Sequence, residues 1–290
     1  MKMKNKPDIK LTDMNRLFTA LCMVTILGVH TSCNDNVMEY ETPCIETKAT
    51  VADQRVQSLI QQAREGDEDA YYALALCYRD GDGLERSWLN MICMYATYCR
   101  KTNEDLESIL DLVEKEDPFR IIYKVLESPS TDKENMAMIE QLRQTVPAEA
   151  KAIEAAVKAF SVEDVAKAMD IVQEAEKEGS EAAVMFQAIY YNEVTDKTGQ
   201  EEFLIRASEK YPFLYLELGD MYARSYRTSG DFADIQTAME YYYTADAHGM
   251  LGPKHASTLL GMYDYHGEKG MFKCSKQEKE RLQTLARRAY

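Results

Sequence analysis

The chain has 290 residues, of which 46% are hydrophobic and 29% charged, and its formal net charge at pH 7 is −15. This apolar content suffices for a large core and excludes the disordered, collagen and coiled-coil classes. The 49 acidic residues outnumber the 34 basic ones. This excess argues against a protein that binds duplex DNA or RNA, because phosphate neutralisation needs clustered Lys and Arg.

The first 32 residues have the pattern of an export signal. Five cations and two anions lie in Met1–Arg16, and an uncharged stretch of thirteen residues, LFTALCMVTILGV, follows from Leu17 to Val29. A stretch of this length fits the hydrophobic region of a secretory signal and is too short to span a membrane comfortably. We therefore predict that residues 1–32 are a signal peptide, with translation starting at Met1 or at Met14.

Cys33 directly follows a short small-residue segment at the end of this apolar stretch. The arrangement resembles a bacterial lipoprotein signal, in which the cysteine becomes the N-terminus and is lipidated, although His30 stands where such signals usually carry an aliphatic residue. Several acyl chains would anchor the protein firmly, because each buried methylene contributes roughly 0.8 kcal/mol. Residues 33–50 are then a lipidated tether. Loss of the basic signal, with its net charge of +3, leaves a mature net charge near −18.

Residues 51–290 are predicted to form an all-α domain. Apolar residues recur at intervals of three and four, as Ala70, Leu74, Cys77 and Tyr78 do, and no stretch shows the sustained alternation of a β-strand. The middle of the domain, residues 101–160, lacks the small-residue pattern of the flanking helices and is predicted to contain divergent or inserted helices. Proline interrupts the helices there at three positions, Pro118, Pro129 and Pro147.

A helix that ends in glycine recurs at a fixed period. Ala168 lies eleven residues before Gly179, Ala238 lies eleven residues before Gly249, and the two alanines are 70 residues apart. This distance is two periods of about 35 residues, which is typical of stacked helical hairpins. We therefore expect a superhelical solenoid of antiparallel hairpins.

The small and aromatic residues of these helices resemble the signature of Sel-one-like repeats, which are relatives of tetratricopeptide repeats. Residues 63–84 match its first half at Ala63, Gly66, Ala70, Leu74, Tyr78, Gly81, Gly83 and Leu84. Its second half is matched by Ala238, Tyr241, Tyr242, Ala245 and Gly249, and a partial copy by Ala168, Ala175 and Gly179. The resemblance implies an adaptor that binds other proteins.

The chain contains 19 tyrosines, some of them adjacent, which is more than hairpin packing requires. Neighbouring residues on a helix point about 100° apart, so one tyrosine of an adjacent pair can face solvent. Exposed tyrosines suit protein or peptide recognition. The residues predicted to contact a partner are Tyr72, Trp88, Tyr191, Tyr241 and Tyr243. Packing between repeats is the alternative role for each of these tyrosines.

Three motifs follow the order found in penicillin-recognising serine enzymes: Ser130–Lys133 (S-x-x-K), Tyr190–Asn192 (Y-x-N) and Lys197–Gly199 (K-T-G). Some cysteine-rich members of the repeat family are associated with β-lactam binding. The mechanism of penicillin-recognising serine enzymes, however, requires the K-T-G motif to lie on an edge strand that faces a serine on a helix. No sheet is predicted for this chain. The sequence instead favours a turn at the S-x-x-K motif, in which Thr131 is the N-cap of a helix and forms a capping box with Glu134. We predict no catalytic residue and no cofactor.

Five cysteines remain after the signal is removed and Cys33 is lipidated: Cys44, Cys77, Cys93, Cys99 and Cys274. None has the spacing of a zinc site. An exported compartment permits disulfides. Two states are therefore open for Cys77, Cys93 and Cys99, namely one disulfide among them or free thiols packed as small hydrophobic groups.

Three histidines, His248, His255 and His266, lie near Asp246 and Asp264 in the last repeat. We interpret them as histidines on surface turns beside solvated acids, because no metal-ligand spacing occurs among them. No metal site is predicted.

Together these patterns predict a scaffold lipid-anchored to a bacterial outer membrane, on its periplasmic or its surface side. An acidic, tyrosine-bearing concave surface would bind a protein or peptide, and the charge near −18 motivates a basic partner segment. Contact with the membrane is expected through the lipid anchor only, and no nucleic acid is expected to bind. Two alternatives are a hydrolase or β-lactam-binding repeat protein, and an envelope structural protein associated with polysaccharide.

Overall fold

The computed structural model describes residues 53–162, 165–193, 197–267 and 272–287. Helices make up the secondary structure of these residues, and no β-strand occurs among them. This confirms the predicted all-α class. The predicted signal peptide, Cys33 and the tether up to residue 50 lie outside the described residues.

Thirteen α-helices and one 3-10 helix occur in this part of the chain. In chain order they are α1 (Gln54–Glu65), α2 (Glu68–Asp80), α3 (Trp88–Thr102), the 3-10 helix (Leu106–Leu112), α4 (Pro118–Glu127), α5 (Lys133–Thr145), α6 (Pro147–Val162), α7 (Val165–Lys177), α8 (Glu181–Glu193), α9 (Lys197–Ser208), α10 (Leu214–Ser229), α11 (Phe232–Ala247), α12 (Pro253–Gly267) and α13 (Lys276–Ala286).

The three prolines of the middle segment lie at helix boundaries, as predicted. Pro118 and Pro147 are the first residues of α4 and α6, where a missing backbone N–H costs nothing because that donor has no partner within the helix. Pro129 lies in the connection between α4 and α5. The segment therefore consists of short, separate helices.

The cap of α5 differs from the prediction. Asp132, rather than Thr131, is the N-cap, and its carboxylate accepts a hydrogen bond from the backbone N–H of Asn135 at 2.8 Å. A carboxylate is the stronger cap because its negative charge also interacts favourably with the helix N-terminus. The hydroxyl of Ser130 donates to the same carboxylate, and these two hydrogen bonds lower the pKa of Asp132.

The described helices group into two compact units. The first contains residues 109–206. In it each of the helices α4 to α7 packs against the next one in the chain, and α6 also packs against α8. The carboxylate of Glu149 in the first turn of α6 accepts hydrogen bonds from Ser180 Oγ at 2.6 Å and from the backbone N–H groups of Glu181 and Ala182, each at 2.9 Å. This buried carboxylate thereby caps α8 and fixes it to α6.

The second unit combines two segments that are distant in sequence, residues 53–108 and 207–287. The helices α2 and α3 pack together, as do α10 with α11 and α12 with α13. In addition, α1 packs against α11 and α13. The first helix of the described chain therefore shares a core with the last ones.

Two turns meet where these segments join. Gly249 follows α11 with φ of 72°, and a Cβ atom there would lie 3.5 Å from the side chain of Ala63. The left-handed backbone favours glycine, and the contact shows how closely this turn lies against α1. The buried hydroxyl of Tyr71 hydrogen-bonds the carbonyls of Ala63 at 2.8 Å and Leu251 at 3.2 Å. One tyrosine thus connects the α1–α2 turn with the α11–α12 turn.

Candidate functional site

Three tyrosines meet between α2 and α3, and we refer to Tyr72, Tyr95 and Tyr98 as the Tyr72 cluster. The ring centroid of Tyr72 lies 5.3 Å from that of Tyr98 and 6.1 Å from that of Tyr95, and Tyr95 and Tyr98 are 5.6 Å apart. Tyr72 and Tyr98 are partly exposed, whereas Tyr95 is buried and shares a hydrogen bond of 2.7 Å with Ser108. The cluster therefore presents two ring faces on a buried aromatic base.

Two exposed carboxylates lie beside this cluster. Burial, Glu104 and Asp69 each raise the pKa of the Tyr98 hydroxyl. Glu104 also contributes, after burial, to the raised pKa of Tyr95. The negative charge of the two carboxylates disfavours the phenolate, and for the same reason it favours a positive charge near the rings.

Trp88 is partly exposed at the opposite end of α3. It follows the N-cap Ser87, whose hydroxyl accepts a hydrogen bond from the backbone N–H of Asn90 at 3.0 Å. Ten residues of helix separate Trp88 from Tyr98, which is about 15 Å along the axis. Trp88 is therefore not part of the Tyr72 cluster.

Tyr191 lies in the first unit, in contact with Tyr190 and Phe203. Its ring centroid is 5.4 Å from that of Tyr190, edge to face, and 5.5 Å from the nearly parallel ring of Phe203. The Arg206 guanidinium lies 5.9 Å from the Phe203 centroid and pairs with Glu176 at 2.8 Å. An internal cation therefore already occupies a place beside these rings.

Tyr241 belongs to a second group of rings, the Tyr241 cluster, which consists of Tyr215, Tyr222, Tyr241 and His248. The centroid of Tyr241 lies 6.2 Å from Tyr215 and 5.8 Å from Tyr222, and Tyr215 lies 6.2 Å from His248. All four side chains are partly exposed along the α10–α11 pair. Burial lowers the pKa of His248, which favours a neutral ring at pH 7.

Tyr243 uses its hydroxyl inside the fold. It shares a hydrogen bond of 2.7 Å with the hydroxyl of Tyr263 and donates to Glu278 at 3.1 Å. Burial and Tyr263 raise its pKa. Among the five predicted contact residues, Tyr243 thus has the features of the alternative packing role.

Sequence reasoning missed the partners that complete these clusters, namely Tyr95, Tyr98, Tyr215 and Tyr222. One signal was present: Tyr95 and Tyr98 are three residues apart and so lie on the same face of a helix. Pairing this face with Tyr72 would have required knowledge of how α2 packs on α3. The contribution of Asp69 and Glu104 depends on the same packing.

A second group that sequence reasoning missed is a buried set of ionisable side chains between α10, α11 and α12. Asp220 accepts hydrogen bonds from Tyr242 at 2.6 Å and from Lys254 at 3.0 Å, and the Nε2 atom of His255 lies 3.5 Å from its carboxylate. Burial opposes the charge on Asp220, but His255, Lys254 and Tyr242 together lower its pKa. Burial, followed by Asp220, raises the pKa of the neighbouring Glu217. The pKa values of the two carboxyl groups are therefore shifted in opposite directions.

The prediction of surface histidines is wrong for His255 and His266, both of which are buried. His255 lies against the Tyr242 ring, with 5.4 Å between the centroids. His266 is surrounded by the aromatic rings of Tyr226, Phe232, Tyr265 and Phe272. Both imidazoles fill space between aromatic side chains, which neither their spacing nor their acidic neighbours in sequence indicated.

Asp246 was expected to be solvated and is instead completely buried, with 0% of its side chain exposed. It pairs with Arg281 at 2.9 Å and with Arg64 at 3.2 Å, and we refer to these three residues as the Asp246 clasp. Arg281 also donates to the carbonyl of Arg64 at 2.8 Å. Burial opposes its charge, but Glu278 and Asp246 overcome this and raise its pKa. The clasp joins α1, α11 and α13.

The serine-enzyme motifs have structural roles in the described residues. The hydroxyl of Ser130 donates to Asp132 and accepts from Asn135 Nδ2 at 2.9 Å, both within the cap of α5. The K-T-G motif is the first turn of α9, so it does not lie on an edge strand. Asn192 accepts a hydrogen bond from Gln200 at 2.9 Å. These contacts agree with the interpretation of Ser130 as part of a turn.

Cys77, Cys93, Cys99 and Cys274 are free thiols. Burial, with Glu104 and Asp105, raises the pKa of Cys99 to about 11, and burial with Glu278 raises that of Cys274 to about 11. Thiols with such a pKa are protonated and unreactive at pH 7. Cys44 lies outside the described residues.

In the described ranges, no group of three or more His, Cys, Asp or Glu side chains is arranged to hold a metal ion. Within the same ranges, no helix combines the length and the apolar character needed to cross a membrane.

Comparisons of the chain with protein-family models, curated proteins and solved structures found no match. The described residues form an all-helical protein that carries partly exposed tyrosine clusters on two helix pairs, α2–α3 and α10–α11.

Proposed function

We propose that this protein is a lipid-anchored helical-repeat scaffold that binds a protein or peptide partner through its tyrosine clusters. One observation carries the proposal. The partly exposed clusters lie on the α2–α3 and α10–α11 pairs, and both pairs contain residues that match the repeat signature. The repeats would thus position the tyrosines, and the tyrosines would contact the partner.

Tyrosine suits this role for physical reasons. Its ring buries a large area with few rotatable bonds, and its hydroxyl remains hydrogen-bonded to water or to a partner. Clustered rings are also restrained by one another before binding, which lowers the entropy lost when a partner docks.

The stacking of successive helices supports a repeat architecture. In the first unit each helix from α4 to α7 packs on its successor, as repeats that contact only their neighbours do. We propose that the chain is built as a superhelical stack of antiparallel hairpins. Residues 101–160 would then be divergent repeats or inserted helices.

Photo-crosslinking in native membranes tests the partner. A benzophenone amino acid is placed at Tyr72 and at Tyr241, and a matched exposed position, Glu209, serves as the control. We expect the same partner protein to be crosslinked from the tyrosine positions and not from Glu209. Equal crosslinking at all three positions, or none at any, would overturn the proposed function.

The anchor is tested by mass spectrometry of the membrane fraction. We expect Cys33 to be the lipidated N-terminus and a Cys33→Ser variant to leave the membrane fraction. An unmodified Cys33 in that fraction would refute the lipid anchor.

The two alternative functions are separate outcomes of further assays. Labelling by a fluorescent penicillin that disappears in a Ser130→Ala variant would replace the scaffold with a β-lactam-binding protein. Retention on envelope glycans, in the absence of any crosslinked protein, would replace it with a polysaccharide-associated structural protein.

A further inference from the structure

We propose that the Tyr72 cluster recognises a cationic side chain, a lysine or an arginine in a basic segment of the partner. The proposal rests on the proposed function and names the chemistry of the partner at one site. It uses the Tyr72 and Tyr98 rings together with the carboxylates of Asp69 and Glu104.

The sequence positions of these groups place them at one end of the α2–α3 pair. Asp69 and Tyr72 are three residues apart near the start of α2, so they share a face of that helix. Tyr98 is in the last turns of α3, and Glu104 follows the end of that helix, whose C-cap is Asn103. The packing of α2 on α3 therefore brings the start of α2 close to the end of α3.

The rings supply one half of the recognition. Aromatic faces attract cations through the negative potential above the ring. The Tyr72 and Tyr98 centroids are 5.3 Å apart and their planes are tilted by 57°. A guanidinium or ammonium group within about 6 Å of both centroids would contact both partly exposed rings.

The carboxylates supply the other half. Asp69 and Glu104 are both exposed, and neither forms an ion pair with another side chain in the part of the chain that the structure describes. Their influence on the Tyr98 hydroxyl shows that their field reaches the rings.

The nearby cations of the chain are engaged elsewhere. Arg79 influences Tyr72 only weakly, and its guanidinium binds Asp80 at 2.6 and 2.7 Å. Lys101 interacts with Glu68 and Asp67, and burial lowers its pKa. Elsewhere the chain itself places cations on rings, since Lys210 Nζ lies 5.6 Å from the Tyr211 centroid. At the Tyr72 cluster this place is left for a cation from another molecule.

The test is a titration of the full-length mature chain with fluorescent peptides of four Gly-Arg, Gly-Lys, Gly-Gln or Gly-Glu repeats, followed by anisotropy. We expect the Arg and Lys peptides to bind and the Gln and Glu peptides not to bind. A Tyr72→Leu/Tyr98→Leu variant should weaken Arg-peptide binding about 5- to 30-fold, since each cation–π contact contributes about 0.5–1 kcal/mol. Tyr98→Phe keeps the ring and should bind within about two-fold of the parent.

A second variant removes the charges and keeps the rings. Asp69→Asn/Glu104→Gln should weaken Arg-peptide binding about 2- to 10-fold at low salt, and the difference should shrink as salt is added. Glu202→Gln/Glu209→Gln is the matched control, because it removes two exposed carboxylates that lie outside the tyrosine clusters. Equal weakening by this control would show general attraction to an acidic protein and would overturn the site.

The failure of this site is distinguishable from the failure of the proposed function. If Tyr241 still crosslinks its partner while neither variant weakens the Arg peptide, the cation site is wrong and the scaffold proposal stands. If the peptide behaves as expected but no partner is crosslinked in native membranes, the cation site stands and the scaffold proposal fails. Circular dichroism and thermal unfolding of each variant identify any loss of binding that results from misfolding.

Discussion

At the scale of single residues, two helix glycines occupy equivalent positions of the repeat pattern and have opposite environments. A Cβ atom at Gly219 would lie 2.5 Å from Cε1 of the Tyr242 ring, whereas one at Gly261 would meet nothing within 4 Å. Only Gly219 is therefore required for the close packing of two helices. The repeat pattern alone gives both positions the same glycine and does not distinguish them.

Substitution of these glycines by alanine should change stability in opposite directions. Gly219→Ala should lower the free energy of unfolding by about 1–3 kcal/mol, because the Tyr242 ring must move. Gly261→Ala should raise it by up to about 1 kcal/mol, because alanine favours a helix more than glycine does. Urea denaturation measures both values. A Gly219→Ala variant as stable as the parent would contradict the close contact between α10 and α11.

The carboxylates Glu217 and Asp220 predict opposite dependences of stability on pH. The pKa of Glu217 is raised in the folded protein, so its contribution is complete below its unfolded pKa and is lost as the pH rises through its folded pKa. Glu217→Gln stays neutral. The free energy of unfolding of this variant should therefore increase relative to the parent as the pH rises above about 4, the ordinary pKa of a glutamate.

Asp220 has the reverse sign because its pKa is lowered on folding. Its contribution is present above its unfolded pKa, near about pH 4, and is lost as the pH falls through the folded pKa. Asp220→Asn should therefore cost about 1–3 kcal/mol at neutral pH and progressively less in acid. Thermal unfolding across pH measures both variants, and parallel curves for the two would refute this assignment of charge.

At the scale of elements, two ion pairs join α13 to neighbouring helices, and only one of them is buried. Asp246 is fully buried in the clasp, whereas Asp264 and its partner Lys279 are 59% and 43% exposed. Removal of one partner of a buried pair leaves an uncompensated charge. An exposed pair contributes little, because solvent screens it.

Asp246→Asn should therefore lower the free energy of unfolding by about 3–5 kcal/mol, against at most about 0.5 kcal/mol for Asp264→Asn. Hydrogen exchange should locate the loss in α1 as well as in α11, since Arg64 belongs to the clasp. Equal effects of the two substitutions would show that burial does not determine the contribution of the clasp.

The sequence predicted the elements well because helix periodicity and helix ends are local properties. The run predicted from Asp234 to Gly249 is observed as α11 (Phe232–Ala247), and the one from Asp164 to Gly179 as α7 (Val165–Lys177). The burial of Asp246 and His255 could not be predicted in this way. Asp246 contacts Arg64, which is 182 positions away in the chain, whereas His255 contacts Tyr242 and Asp220 of the two preceding helices. Neither residue differs in type or spacing from a solvated one.

At the scale of the whole molecule, periodicity predicted one stack in chain order, whereas the contacts divide the described helices into two units. The period reports only that each helix has a neighbour. It does not report that α1 has α11 and α13 as neighbours, because this packing depends on contacts such as those of Arg64 and Tyr71.

Deletion of residues 276–290, which include α13, tests this grouping. A Cβ atom at Gly66 would lie 3.5 Å from the backbone of Leu285, and Arg281 binds the carbonyl of Arg64. Hydrogen exchange should therefore accelerate in α1, even though α6 and α7 are much closer to the deletion in sequence. The amides of α6 and α7 are the internal control, and equal acceleration there would contradict the two units.

The hydrogen bond from Tyr71 to Leu251 has a consequence for biogenesis, since its two residues are 180 positions apart. At a synthesis rate of about 5–20 residues per second, the N-terminal helices wait about 10–40 s for the carbonyl that completes their core. Contacts of such long range slow folding. The first helices of the described chain therefore cannot complete their core until residues near the other end of the chain have been made.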